Sequence, residues 1–453
     1  MVMSSKLRFV SLVLVAVFAL VAAVAPGGAV MAAAEADRDL KAAKPEAVGI
    51  DPKRLERLES GMRAFVDEGR LSGVVTLVAR HGKTAHLSAA GVKNTATGEP
   101  LDTDSIFRIY SMTKPVTGVA MMILHEEGKW RLDDPIAKYI PEFADLKVYA
   151  GDGSEGAGDE LAVEDPASPL TMRHVMSHAG GLSYGFGPHP VDQRYQAADI
   201  FDLEKPLQTM IDKLGEIPLM VHPGTQWIYS ISVDVQGYLV EKLSGQPLAD
   251  FFQDRIFEPL GMSDTAFYVP EEKIDRLATI HAIDENGKLQ PNPQMFGLLG
   301  TDATEPPILP LGGAGLFSTA EDYARFAQML ANDGELNGVR ILAPRTVEMM
   351  RTNHLSPEAE ATMTPGLGFG MDFAVVLDSA AAGEPSREGS YYWSGAAGTW
   401  FWIDPATDLV FVGMIQHQGA EIGEIQGLSR NLIYQSPTPI GSPYRFRGDS
   451  VPS

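Results

Sequence analysis

A serine and a lysine stand three positions apart, at Ser111 and Lys114, in the stretch FRIYSMTKPVTGVAMMI. A serine hydroxyl is a weak nucleophile until a neighbouring base takes its proton. A lysine can be that base when burial tunes it. Met112, Val116, Val119, Ala120 and Ile123 recur at helical spacing, and Gly128 is a stop signal. If Ser111 opens this helix, its hydroxyl feels the positive end of the macrodipole, and Lys114 shares its face one turn on. The backbone N–H of such a serine can also face an oxyanion. The spacing alone is not specific, since about one or two chance matches are expected at this length. A helix-capping serine followed by a solvated lysine is the plain alternative.

Two other patterns compete. GLSYG places Ser183 in the G-x-S-x-G pattern of a nucleophile elbow, which needs a strand before it and a helix after it. Here the helix-like MRHVMSHAG precedes it, and FGPHP, a poor helix start, follows. His174 and His178 lie four apart in HVMSH, a spacing that could hold zinc. The zinc-protease pattern requires Glu after the first histidine, and Val175 stands there.

The elements that must position these residues are legible in outline. Residues 52–68 read as a helix with Leu55, Leu58, Met62 and Phe65 on one side. GVVTLVAR and TAHLSAAG around HGK read as a hairpin. Residues 151–169 form an acidic, Gly-rich surface loop, and 170–265 are mostly helical patterns, with one helix from about Ser232 to Leu243. Ser318 and Glu321 are in capping-box register for a helix ending at Gly334. YYWSG, GTWFWID and DLVFVGMIQ read as three late strands, the last two joined by a turn at PAT. Strands at both chain ends with helices between predict an α+β fold: an antiparallel sheet flanked by helices, with a helical lobe inserted.

The chain has 453 residues, a net charge of −23 and no cysteine. Disulfides, thiol nucleophiles and a cysteine-linked lipid anchor are excluded. Its acidity disfavours nucleic acid and anionic membrane surfaces. At the start, Lys6 and Arg8 precede an apolar run from Phe9 to Ala25, and AAAEAD offers cleavage after Ala34 or Ala36. An export signal over 1–34 is expected, ahead of a catalytic domain over 35–453. With no Arg-Arg pair, the general secretory route is expected, with the product periplasmic or secreted and free of the membrane after cleavage.

The chain resembles the serine β-lactamase and penicillin-binding superfamily, and within it the class C-like serine esterases, or family VIII carboxylesterases. The likeness rests on SMTK, LTMRHVMSHAGGLSYGF, HPGTQWIYSISVDVQGYLVEKLSG, IFEPLGMSDTAF and GGAGLFSTAEDYARFAQML, which follow the family's order over roughly residues 45 to 435. The resemblance implies a β-lactamase/DD-peptidase-like fold with the helical lobe over approximately 135–300. It implies Ser111 as the acylated nucleophile, Lys114 as its partner, and Tyr229 as the tyrosine of Tyr-x-Asn. Trp393, Ser394 and Gly395 stand where Lys-Thr-Gly is expected, and the resemblance implies an oxyanion hole made by the N–H groups of Ser111 and Ala396. His174, His222, Asp133 and Asp134 are structural under this reading.

Two positions depart from the β-lactamase pattern. Ile231 replaces an asparagine that would bind a β-lactam side chain. Trp393 replaces a lysine that would help hold its carboxylate, and offers an apolar wall instead. With Ile231 and residues 393–395 lining the substrate, the expected function is a serine esterase acting on short-chain carboxylic esters. The expected partner is a small-molecule ester, with no cofactor or metal. The alternatives are a β-lactamase, a D-amino-acid peptidase, or a penicillin-binding protein without turnover.

Overall fold

Hydrophobic runs from the two ends of the chain meet in one sheet. The computed structural model describes residues 38–156, 160–292 and 303–437, so the expected signal segment lies outside the described residues. The early strands are β1 (Gly73–Arg80), β2 (Lys83–Asn94) and β3 (Glu99–Pro100). The late ones are β4 (Leu367–Phe369), β5 (Ala374–Val376), β6 (Tyr391–Ser394), β7 (Trp400–Asp404) and β8 (Leu409–Met414). Their spatial order is β4-β5-β6-β7-β8-β1-β2-β3. The two halves join where β1 pairs antiparallel with β8, Val75 opposite Met414.

Both faces of this sheet are covered. Leu77, Ala79, Phe401, Ile403, Val410 and Val412 face one core, while Val74, Val78, Trp400, Trp402, Leu409 and Phe411 face the other. The period-2 alternation survives, but both sets are apolar, which is why these strands read as continuous hydrophobic runs. Helix α1 (Pro52–Asp67) closes the second core with Leu55, Leu58, Met62 and Phe65. The first core lies under α2 (Thr113–Glu126), α3 (Met172–Met176), α4 (Ser232–Ser244) and α5 (Ala320–Ala331), and α6 (Glu421–Tyr434) returns to pack on α1. Every residue of α2 from Thr113 to Leu124 is buried, so its buried face extends to the whole circumference and takes in the polar Thr113, Lys114 and Thr117.

Several local expectations are corrected. Ser111 does not open the α-helix; it sits in a 3-10 turn over Tyr110–Met112, and α2 begins at Thr113. The cap of α5 is Thr319, whose side chain accepts from the Asp322 N–H, not Ser318, which lies in a short strand and bonds Thr265. That helix ends at Ala331, three residues before Gly334. Within the acidic loop, Val163–Glu164 pairs with Val148–Tyr149. The lobe does not stay helical to about residue 300: His281–Ile283 and Leu289–Pro291 form a hairpin. Asn286-Gly287 in its turn, with Gly287 at φ 76°, was the overlooked signal.

Helix α5 holds the serine turn in place, since the Tyr323 hydroxyl donates to the Met112 carbonyl at 2.9 Å. Its neighbour Asp322 anchors the start of α5 by accepting from the Asp264 N–H at 2.7 Å and the Thr265 hydroxyl at 3.0 Å. Burial pushes the Asp322 carboxyl up to about 6. The folded state therefore keeps this proton to higher pH than the unfolded chain. Its contribution to stability falls as pH rises from about 4 to about 6. Relative to Asp322→Asn, the native protein should lose roughly 2–3 kcal/mol of unfolding free energy over that interval. Urea unfolding at several pH values measures the gap, and a gap that does not change with pH contradicts the assignment.

Candidate active site

The serine turn is forced into its shape. Tyr110, just before Ser111, has φ 42°, a strained conformation for a residue with a side chain. The turn persists because its surroundings over-determine it. Thr113 Oγ1 accepts from the Leu316 N–H at 3.1 Å, and the Thr117 hydroxyl donates to the Gly312 carbonyl at 2.6 Å. Lys114 has no exposed surface. Its Nζ donates to Ser111 Oγ at 3.2 Å and to the Gly313 carbonyl at 2.7 Å. The same Nζ lies 4.8 Å from the Tyr229 ring centre and 5.3 Å from that of Tyr184, close enough for cation–π attraction.

Tyr229 reaches Ser111 from the far side of the cleft, its hydroxyl donating to Ser111 Oγ at 2.7 Å. Its own ring is caged by aromatic neighbours, with centroids at 5.0 Å for His178, 5.3 Å for Tyr184 and 5.4 Å for Trp393. His178 is completely buried, and Nδ1 accepts from the Ser230 N–H at 3.2 Å. Burial first, and then the Lys114 charge, holds this imidazole well below its usual range, so it is a neutral support for Tyr229. Trp393 is half-buried, its ring edge against Phe369 at 5.3 Å.

A cavity of about 130 Å³ opens over Ser111. Tyr110, Tyr184, Phe186, Phe201, Tyr229, Leu311, Ala314 and Ala396 give it an apolar lining, and Asp234 also faces it. Phe186 is 67% exposed at the mouth and stacks on Tyr184 with centroids 5.3 Å apart. The end of β6 abuts the serine turn. A Cβ at Gly395 would lie 2.3 Å from the Ile109 carbonyl oxygen, so only glycine allows this approach, and Ala396 follows into the cavity lining.

Two buried carboxylates lie near Lys114. Asp234 accepts from the Gly313 N–H at 2.8 Å, and burial lifts it to about 6 while the Lys114 charge opposes that rise. Asp372 accepts from the Gln236 amide at 2.9 Å and is pushed well above the carboxylate range by burial, again opposed by Lys114.

A model of the Beta-lactamase family matches residues 58–430. The chain belongs to the beta-lactamase family. Protein Rv1367c of Mycobacterium tuberculosis is 35% identical, the match covering 80% of this chain and 90% of that protein. Esterase EstB of Burkholderia gladioli is 33% identical over 81% of this chain and 91% of its own. Among solved structures, EstCE1, a hydrolase with promiscuous acyltransferase activity, matches with a TM-score of 0.72 at 28% identity, covering 84% of this chain and 98% of that one. The chain is thus a serine hydrolase of the beta-lactamase family with esterases among its relatives.

This beta-lactamase-family site brings together Ser111, Lys114, Tyr229 and Ala396, with Trp393 behind Tyr229. It leaves out Ile231, which was expected to line the substrate. That side chain is fully buried in the core at the start of α4, so it contributes packing. His174 and His178 do not share a helix face. His174 closes a capping box with Thr171 in α3, whereas His178 lies beyond the helix at φ 56°. His222 pairs with Glu164 at 3.1 Å, Asp133 with Arg173 at 2.9 Å, and Asp134 with Lys138 at 3.0 Å. Tyr184, Asp234 and Gly313 were missed. Tyr184 lies inside GLSYG, so the residue after the tested serine is the one that faces the site. Asp234 had one signal, a charge within the otherwise apolar start of α4.

Ser183 is buried, donates its hydroxyl to Asp192 and accepts from the Gly185 N–H at 3.0 Å. No strand leads into it. Ser183→Ala should retain esterase turnover but lose about 1–3 kcal/mol of stability, because buried Asp192 loses a donor. Melting and turnover measured on one preparation test this, and loss of turnover in a stable variant contradicts it.

Proposed function

We propose that this chain hydrolyses short-chain carboxylic esters through an acyl-enzyme on Ser111. One observation carries the reading: Ser111 Oγ receives both the Tyr229 hydroxyl at 2.7 Å and Lys114 Nζ at 3.2 Å beneath an apolar cavity. Ser111 Oγ attacks the ester carbonyl carbon while its proton passes to the Lys114–Tyr229 pair, whose reactive form is one proton short of an ammonium and a phenol. The electron pair displaced onto the carbonyl oxygen is met by the N–H groups of Ser111 and Ala396. Collapse of the tetrahedral species breaks the bond to the alcohol oxygen, which Tyr229 protonates. Water then attacks the acyl-serine by the same relay and releases the acid.

The substrate preference follows from what surrounds the serine. Trp393 occupies the position of the lysine that would attract a β-lactam carboxylate. The net charge of −23 gives anions no general attraction. An apolar cavity of about 130 Å³ suits a short acyl chain, and Tyr184 and Phe186 offer a flat apolar surface at its mouth. The similarity to esterase EstB supports the same choice. The end of β6, Trp393–Ser394, and Gly395 just beyond it form the backbone run along which the ester would lie.

Ser111→Ala should abolish turnover of p-nitrophenyl butyrate. Lys114→Ala and Tyr229→Phe should each lower it by at least about a hundredfold. Their double variant should be little worse than either single one, because they act as a unit. In the same preparation, kcat/KM for the ester should exceed that for penicillins and cephalosporins. Equal or higher efficiency on the β-lactams would favour the amide-hydrolase reading.

We also infer export. Lys6 and Arg8 followed by the apolar run from Phe9 to Ala25 have the form of a cleavable signal. Mass spectrometry of the protein from a bacterial host's exported fraction should find a chain beginning after Ala34 or Ala36. An uncleaved chain confined to the cytosol would refute this.

A further inference from the structure

Asp234 is 1% exposed and makes no hydrogen bond to Ser111 or Tyr229. A carboxylate is costly to bury unless hydrogen bonds replace its hydration. Its Oδ1 accepts from the Gly313 N–H at 2.8 Å. The carbonyl of the same residue accepts from Lys114 Nζ at 2.7 Å. Gly313 therefore links the first turn of α4 to the lysine of α2.

The fit around this link is tight. A Cβ at Gly313 would lie 2.7 Å from Asp234 Oδ2 and 3.1 Å from its Cγ. A Cβ at Gly312 would lie 2.8 Å from the Val233 carbonyl oxygen. Two successive glycines thus let the backbone lie flush against α4. From the opposite side, α2 takes hold of the same two residues, with the Thr117 hydroxyl on the Gly312 carbonyl at 2.6 Å and Lys114 on the Gly313 carbonyl.

We propose that Asp234 is a positioning residue for the Ser111 reaction: its carboxylate clamps Gly313, and the clamped carbonyl holds Lys114 Nζ beside Ser111 Oγ. The inference rests on the reading of Lys114 as the serine's partner. A lysine stem has four rotatable bonds, and Nζ at 3.2 Å from Ser111 Oγ is useful only while it stays there. The Gly313 carbonyl is the stronger of its two hydrogen bonds by distance, so displacing that carbonyl displaces the amine. Asp234 also faces the cavity that takes the acyl chain, so the test separates kcat, which reports the placement of Lys114, from KM, which reports the cavity wall.

The test is a cycle of variants on the full chain, with p-nitrophenyl butyrate as substrate and melting temperature as the check on folding. Asp234→Ala should lower kcat roughly ten- to a hundredfold, as for a small misplacement of a reacting group, and by a larger factor than it changes KM. Asp234→Asn keeps an acceptor oxygen in place and should recover kcat to within about threefold of the native value. Gly313→Ala should damage the native protein because its Cβ meets the carboxylate. It should add less than about twofold in the Asp234→Ala background, where the carboxylate is gone. The inference is overturned by a folded Asp234→Ala with native kcat, by an Asn variant no better than Ala, or by losses at 234 and 313 that multiply. Should Asp234→Ala not fold, Gly313→Ala reads the same contact from the other side, and native kcat there overturns the inference. Native activity in Lys114→Ala would instead overturn the functional reading beneath it.

Discussion

Lys114 is sealed from water, and an ammonium in a protein interior costs several kcal/mol unless partners replace its hydration. The site supplies them from four separate parts of the chain: Ser111 Oγ, the Gly313 carbonyl, and the ring faces of Tyr184 and Tyr229. Each must arrive at its own angle and distance. Meeting that demand brings the helical lobe, the 312–316 segment and the serine turn to one point. The nucleophile is organised by the same contacts, because Ser111 Oγ is itself one of the lysine's partners.

The fold satisfies this demand with rigid joints. The serine turn is braced by α5 through Tyr323, by the 312–316 segment through Thr113 and Thr117, and by the end of β6 at Gly395. Gly313 and Gly395 play equivalent parts. At each, a missing side chain lets backbone approach backbone or carboxylate more closely than a Cβ permits. The strained φ of Tyr110 is tolerated inside this frame. Strain of that kind usually relaxes in a soft structure, and here the sheet beneath is packed on both faces.

The aromatic groups divide into support and surface. His178, Trp393 and Trp227 surround Tyr229 and limit its motion, Phe186 and Phe201 face the cavity, and Tyr184 does both. A tyrosine that moves protons needs a fixed oxygen, and a ring enclosed on several sides gives it one. The exposed ring of Phe186 has no such supporting duty, which leaves it available for the substrate.

Much of the fold and part of the site could be read directly. The i, i+3 relation of Ser111 and Lys114 is a property of local helical geometry, and it survived even though the α-helix begins two residues later than expected. The amphipathic face of α1 and the late strands were equally legible, since each signal lies within one element. Tyr229 was found only through the ordered likeness to a family, because nothing local distinguishes it from a core tyrosine. Ile231 shows the limit of that likeness: its position in a motif suggested a contact, and the packing of α4 turned it inward. The roles of Tyr184, Asp234 and Gly313 are not legible in the sequence for the same physical reason, although the charge of Asp234 within an apolar helix start marks its position. Ser111 and Tyr229 are 118 positions apart, and Lys114 and Gly313 are 199 apart. Sequence spacing determines what one turn of helix presents. Which distant backbone carbonyl or buried carboxylate comes to meet it is decided by how whole elements pack, and only the tertiary structure holds that information.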